Sequence, residues 1–272
     1  RMKNLLAALI VYLLLPVLLA CAVQSRKAVS WKNSDNDTAL AYLMYMECPE
    51  SSHFEAVKAQ AILLRSSICL FSSGEWSALL KKSTKIEQEK KYRQMKDTYF
   101  SAIHETKGLV LKYKSVTMRG VYHEISAGKT REGKDTDTES YSQLTSVDSH
   151  WDMDAPGYLQ VFTFSDIYLK RGFFRNQNDP QIKVILTDKE NYVELVQWGN
   201  TYVNGDYVRE SLSLPSSSFT VSHEDNQWIF TCKGVGHGLG MSLYGADQMA
   251  SEGKTYQEIL KYYFPKYDIL QE

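Results

Sequence analysis

The residues with the means to do chemistry are one acid, two histidines and a run of alternating glycines. Glu47 follows Leu40, Leu43 and Met44 so that the four sit at i, i+3, i+4 and i+7. A helix starting near Asp37 therefore sets all four side chains on one stripe. Asp37 suits its N-cap, and Pro49 ends it, because the residue before a proline disfavours helical dihedrals. Glu47 then falls in the last turn, where the negative end of the helix macrodipole and partial burial both favour the protonated acid. A carboxylic acid that keeps its proton near neutrality can hand it to a leaving oxygen. Glutamates near helix ends are more often plain surface residues; the apolar stripe and the helix that follows set this one apart.

His123 closes a strand-like stretch that includes Met118, Val121 and Tyr122, and His237 lies inside Gly234, Gly236, Gly238 and Gly240. Glycines in alternation let a backbone turn tightly or approach another chain segment closely. No Lys-Ser or Lys-Thr follows, so a phosphate-cradling loop does not fit. For His237 the simpler role is to hold the loop by hydrogen bonds; a catalytic or ligand role is the alternative. The four cysteines, Cys21, Cys48, Cys69 and Cys232, have no C-x-x-C spacing and read as buried free thiols, although Cys48 and Cys69 flank the two N-terminal helices and could approach each other.

These groups need elements to hold them. Ser52 to Glu55 has the S-x-x-E form of a capping box, so a second helix is expected from Ser52, with Ala56, Ala59 and Leu63 as a small-residue face. Lys58 and Arg65 lie on that helix at i and i+7; either suits an anionic sugar substituent, or a solvated face. Trp76 to Thr106 is lysine-rich with periodic apolar residues, hence one or two amphipathic helices. From Leu109 the period turns toward alternation, giving strands at Leu109–Tyr113, Met118–Tyr122, Tyr158–Phe164, Ile182–Leu186, Tyr192–Trp198 and Trp228–Cys232. Arg131 to Gln143 reads as a loop, and Asn178–Pro180 and Asn204–Asp206 as turns. Met241 to Ala250 and the stretch from Gly253 through Leu260 close the chain as helices. The expected class is α+β.

With 272 residues and 43% hydrophobic content, the chain can bury a large core. A net charge of -1 gives no global pull toward nucleic acid. The 18 tyrosines and 5 tryptophans suit stacking on sugars, although most are expected in the core. Arg1 and Lys3 precede an apolar run from Leu5 to about Val23, long enough for a membrane span and basic at its start like a signal peptide. An uncleaved anchor is preferred over lipidation at Cys21 or simple secretion, and each leaves the body outside the cytoplasmic membrane. The expected organisation is an anchor or signal over 1–23, a linker over 24–36, and a catalytic region over 37–272 with a mostly β portion at about 109–232.

Four blocks together resemble the stage II sporulation protein D family, which shares its domain with amidase-enhancer proteins. They are Met46 to Ser66, Val121 to Thr130, Leu212 to Phe219, and Gly234 to Phe264. The resemblance implies a membrane-anchored lytic transglycosylase that cuts peptide-stripped peptidoglycan strands during forespore engulfment. It implies as partners an amidase (stage II sporulation protein P) and a membrane protein (stage II sporulation protein M). The family's catalytic glutamate falls on Glu47. One such residue suffices: it protonates the glycosidic oxygen, then takes the proton of the muramyl 6-hydroxyl, which closes to a 1,6-anhydro end. A glycan groove lined by Glu47, Arg65, His123, Tyr141, His237 and the glycine loop is the expectation.

This sequence departs from the family pattern in places. Leu64 stands where the family has alanine before Arg65, Ser66-Ser67 replaces Thr-Tyr, and Leu243 replaces a glutamine before Tyr-Gly-Ala. Zinc-binding members keep cysteine near the histidine of the second block, where this chain has His-Glu-Ile-Ser-Ala-Gly, so no protein-held zinc or other cofactor is expected. Two rivals remain: a non-catalytic wall-binding activator of an amidase, and a metal-dependent wall hydrolase using His123 and His237.

Overall fold

The fold is built around α2 (Phe54–Ile68), in which every residue from Ala56 to Ile68 is buried. It is flanked in the chain by α1 (Ser34–Glu47), α3 (Ser73–Ile86) and α4 (Lys90–Glu105). The structure, a computed structural model, describes residues 34–49, 52–86, 89–135, 141–175 and 181–272. The apolar run Leu5–Val23, Cys21 and the turn at Asn178–Pro180 lie outside the described residues. Among the described residues no helix is long and apolar enough to cross a membrane.

A helix buried on all sides needs partners on all sides, apolar ones for its Ala, Val, Ile and Leu and polar ones for Lys58, Arg65 and Ser66. Val57, Ala61, Leu64 and Ile68 face one core with Leu40, Met44, Tyr92, Tyr99 and Ile103 of α1 and α4. Ala56, Ala59, Ile62 and Leu63 face another, formed with Leu111, Met241, Met249, Ile259 and Leu260. Each fully buried Leu or Ile there contributes about 1.5–3 kcal/mol. On α1 the predicted stripe forms: Leu40 and Met44 are fully buried, whereas Glu47 emerges beyond the core and is exposed.

Two local expectations are corrected. Asp37 lies inside α1, not at its cap, and Ser34–Asn36, assigned to a linker, belong to that helix. The box at Ser52–Glu55 does not form: the N-cap is His53, whose N–H donates to the Asp247 carboxylate at 2.6 Å. Glu55 instead pairs with Lys58 at 2.6 Å and accepts the Tyr256 N–H at 2.8 Å. The carboxylate satisfying the helix start thus comes from 194 residues away, beyond what a local pattern shows.

The rest is a set of small sheets with helices between them. β1 (Leu109–Tyr113) lies between β2 (Val116–Thr117) and the C-terminal β11 (Asp268–Gln271), antiparallel to both. β3 (Tyr122–His123) runs parallel to β10 (Met241–Ser242), pairing His123 with Ser242. β4 (Leu159–Ser165), β8 (Phe219–Glu224) and β9 (Gln227–Lys233) form one sheet in the order β4-β9-β8. β5 (Ile182–Thr187), β6 (Val193–Trp198) and β7 (Thr201–Val203) form another. A third core of Phe174, Trp198, Phe219 and Phe230 lies among these strands and the helices α5 (Asp166–Gly172) and α6 (Gly205–Leu212). α7 (Leu243–Ser251) and α8 (Tyr256–Tyr263) then pack on α2.

The mixture of helices and strands agrees with the α+β expectation. The segment Asn204–Asp206 is not a free turn but the start of α6, with the Asn204 side chain accepting the Tyr207 N–H at 2.7 Å. Turn and N-cap draw on the same residues for the same reason, a short polar side chain that bonds the backbone just ahead of it.

Candidate functional site

A groove of about 630 Å³ opens where α1, β3, α6 and the glycine loop meet. Its walls include Glu47, Cys48, Tyr122, His123, Glu124, Arg209 and His237. The final turn of α1 delivers Glu47, and Pro49 carries the chain off along the same wall. β3 delivers Tyr122, His123 and Glu124, with alternation turning His123 inward and Glu124 out to solvent.

The glycine loop is held against β3 and the segment before β8. Ile125 and Val235 exchange backbone hydrogen bonds at 3.0 and 2.7 Å, and the Gly236 N–H donates to the Pro215 carbonyl at 2.9 Å. Gly236 has φ of 110°, and a Cβ there would come 2.7 Å from the His123 Cβ. A side chain at that position would therefore push the imidazole out of place.

His123 and His237 stand with ring centroids 6.0 Å apart. Burial pulls the His123 imidazole down from its ordinary 6.5 to about 4, against a raising effect from its bond to the Leu239 backbone. His237 is also lowered to about 4, by burial first and then by the charges of His123 and Arg209. Both rings are therefore neutral at physiological pH. Burial, then the Glu47 charge, pushes the Cys48 thiol up to about 12, which leaves it protonated and unfit as a nucleophile. Burial also raises the Tyr122 phenol, with the neighbouring Glu47 carboxylate adding to the shift. A neutral phenol beside a carboxylate can donate to it and fix its orientation.

Two residues assigned to substrate by sequence are placed elsewhere. Arg65 is completely buried, and its guanidinium donates to the carbonyls of Thr106 at 2.7 Å, Leu109 at 3.0 Å and Ile103 at 3.0 Å. It stitches α2 to the end of α4 and the start of β1, so its role is structural. Tyr141 packs against the core that holds α7 and α8 and is not part of the groove wall. Among the described residues the cation on the groove is Arg209 of α6, half-buried, with its Nε donating to the Pro215 carbonyl at 3.3 Å. No sequence signal pointed to it, because the helix carrying it starts at a residue pair that reads as a turn. Glu124 was also missed, although it adjoins His123 in the second block.

Among the described residues no group of three or more His, Cys, Asp or Glu side chains is placed to hold a metal ion. Among the described residues the donors on the groove do not converge as a four-ligand zinc site requires.

Residues 24–113 match the model of the family described as stage II sporulation protein. The chain is 29% identical over 241 residues to stage II sporulation protein D of Bacillus subtilis (strain 168), covering 80% of this chain and 69% of that protein. It is 28% identical over 242 residues to stage II sporulation protein D of Bacillus amyloliquefaciens, covering 82% of this chain and 70% of that protein. A shorter stretch of 50 residues is 44% identical to the amidase enhancer of Bacillus subtilis (strain 168), covering 18% of this chain and 7% of that protein.

Proposed function

For a chain similar to stage II sporulation protein D over 80% of its length, we propose the role of a lytic transglycosylase acting on peptidoglycan strands during sporulation. The observation that carries this reading is the meeting of Glu47, His123 and His237 on one groove, although they come from three separate parts of the sequence. Glu47 is the general acid and then the base. It gives its proton to the glycosidic oxygen as the bond to the anomeric carbon breaks, and its carboxylate then accepts the proton of the 6-hydroxyl as that oxygen closes on the same carbon. Tyr122 orients the carboxylate during both transfers, and the neutral imidazoles face the sugar. Arg209 offers a positive charge to the lactyl carboxylate of a muramyl residue.

The substrate in this reading is glycan already stripped of its peptides. We place the body outside the cell membrane on an N-terminal anchor, in company with a sporulation amidase and its membrane partner. The test is incubation of the protein with peptide-free glycan followed by mass spectrometry of the products. Anhydro-muramyl ends, lighter by one water than reducing ends, are expected. Reducing ends would mean hydrolysis and would overturn the lytic assignment.

The match to an amidase enhancer favours one further reading, a wall-binding activator without chemistry of its own. In that case the protein binds the glycan and stimulates an amidase yet leaves strand length unchanged.

A further inference from the structure

One backbone unit determines which hydrogen each groove histidine carries. His123 Nδ1 lies 3.0 Å from the Leu239 carbonyl, and a carbonyl can only accept, so Nδ1 holds the proton and Nε2 is bare. The Leu239 N–H lies 3.0 Å from His237 Nδ1, and an amide N–H can only donate, so Nδ1 is bare there and Nε2 holds the proton. Leu239 is buried between Gly238 and Gly240, whose φ values of 76° and 72° set the direction of its two peptide groups. The two rings are thus fixed in opposite tautomers by the two ends of a single residue.

His123 Nε2 is buried on the groove wall and makes no hydrogen bond within the protein. An acceptor in that state costs about 1–3 kcal/mol unless a ligand or solvent meets it. We propose that the bare Nε2 of His123 and the N–H of His237 together bind one hydroxyl of the glycan, which donates to the first ring and accepts from the second. The dimensions suit a single oxygen. Two hydrogen bonds of about 2.8 Å meeting at a tetrahedral angle span roughly 4.6 Å, compatible with rings whose centroids are 6.0 Å apart. An ether or ester oxygen at the same place accepts but cannot donate, and leaves His123 unmet. The pair therefore selects a free hydroxyl over its alkylated or acylated form. A metal ion fits poorly, because only one of the two Nε2 atoms offers a lone pair.

This inference rests on the glycan-binding reading above, and one experiment separates them. The 272-residue chain, labelled with ¹⁵N at histidine, is followed by long-range ¹H–¹⁵N correlation at neutral pH while peptide-free glycan fragments are added. The free protein should show the proton on Nδ1 of His123 and on Nε2 of His237. Saturating fragment should then move both Nε2 signals, with that of His123 shifting in the direction of an accepted hydrogen bond. Matching or reversed tautomers overturn the pair, even if the fragment binds. So does a fragment that saturates without moving either Nε2, or a response of both rings to zinc in place of glycan. If no fragment binds while the tautomers are as stated, the glycan reading itself has failed and the hydroxyl assignment falls with it. As a second measurement, His237→Ala should weaken binding of a fragment with its hydroxyls free more than that of its O-acetylated counterpart. Equal losses for the two fragments would refute the selection.

Discussion

Acid should unfold this protein through its histidines before its carboxylates, and His123 allows the size of that effect to be worked out. Its imidazole titrates at about 4 in the folded chain and at 6.5 when exposed. The folded value is depressed, so the unfolded chain takes up the proton first, and the stabilisation is complete above pH 6.5 and is lost as pH falls toward 4. Between pH 7 and pH 5 the unfolded state gains about 2 kcal/mol from this one site, while the folded state gains almost nothing. Buried Asp152 and Asp188 act in the opposite sense: burial raises both carboxyls, so the folded chain takes up their protons more readily as pH falls. His237 shares the direction of His123, with Arg209, Arg131 and Asp206 as its charged neighbours. Comparison with His123→Gln cancels what the two proteins have in common. Urea unfolding at pH 7, 6 and 5 should show wild type losing about 2 kcal/mol more than the variant over that interval. Parallel pH profiles for the two proteins would refute the claim that His123 is held neutral by burial.

Glu47→Gln keeps the size of the side chain and removes its titration. Cleavage of peptide-free glycan should fall by at least about 100-fold with binding retained, as measured by fragment affinity and product mass; substantial turnover by that variant would remove Glu47 from the chemistry. Arg65→Ala should cost on the order of 3 kcal/mol or more in denaturant unfolding, because two buried carbonyls and a third, part-buried one lose their donor. Any of that variant which remains folded should bind glycan as wild type does, whereas a specific loss of affinity in well-folded protein would return Arg65 to the substrate. Arg209→Ala should weaken binding of muramyl-containing fragments and reduce the salt dependence of that binding, with little change for fragments lacking the lactyl carboxylate. Isothermal titration at two ionic strengths measures both.

Much of this site could be read before any coordinates. The spacing Leu40, Leu43, Met44, Glu47 located the acid at the end of a helix, because a 3.6-residue period is local information. Two parts of that expectation did not survive equally: Leu40 and Met44 are buried, but Glu47 stands exposed at the groove rather than partly enclosed. The alternating glycines announced close approach, and the positive φ at all four is what that approach requires. Arg65 was misread because a cation on a helix face looks the same whether the face meets water or the carbonyl ends of another helix. Arg209 was invisible for a different reason: Asn204 serves as a helix cap, and the chemistry of caps and turns is shared. The cap on α2 could not have been found at all from nearby residues, since its carboxylate arrives from α7.

The enclosure of α2 on all sides has a consequence for motion. Amides in the middle of that helix have no route to solvent short of unfolding the whole body, so their exchange measures global stability. Glu47 is only a few residues upstream, on a helix end that projects past the core and into water. Its amide lies in the last turn of α1, where the helix leaves the core, and should exchange well before those of α2. The acid thus stands where an enclosed framework gives way to an open helix end, its foundation fixed and its own side chain at the groove.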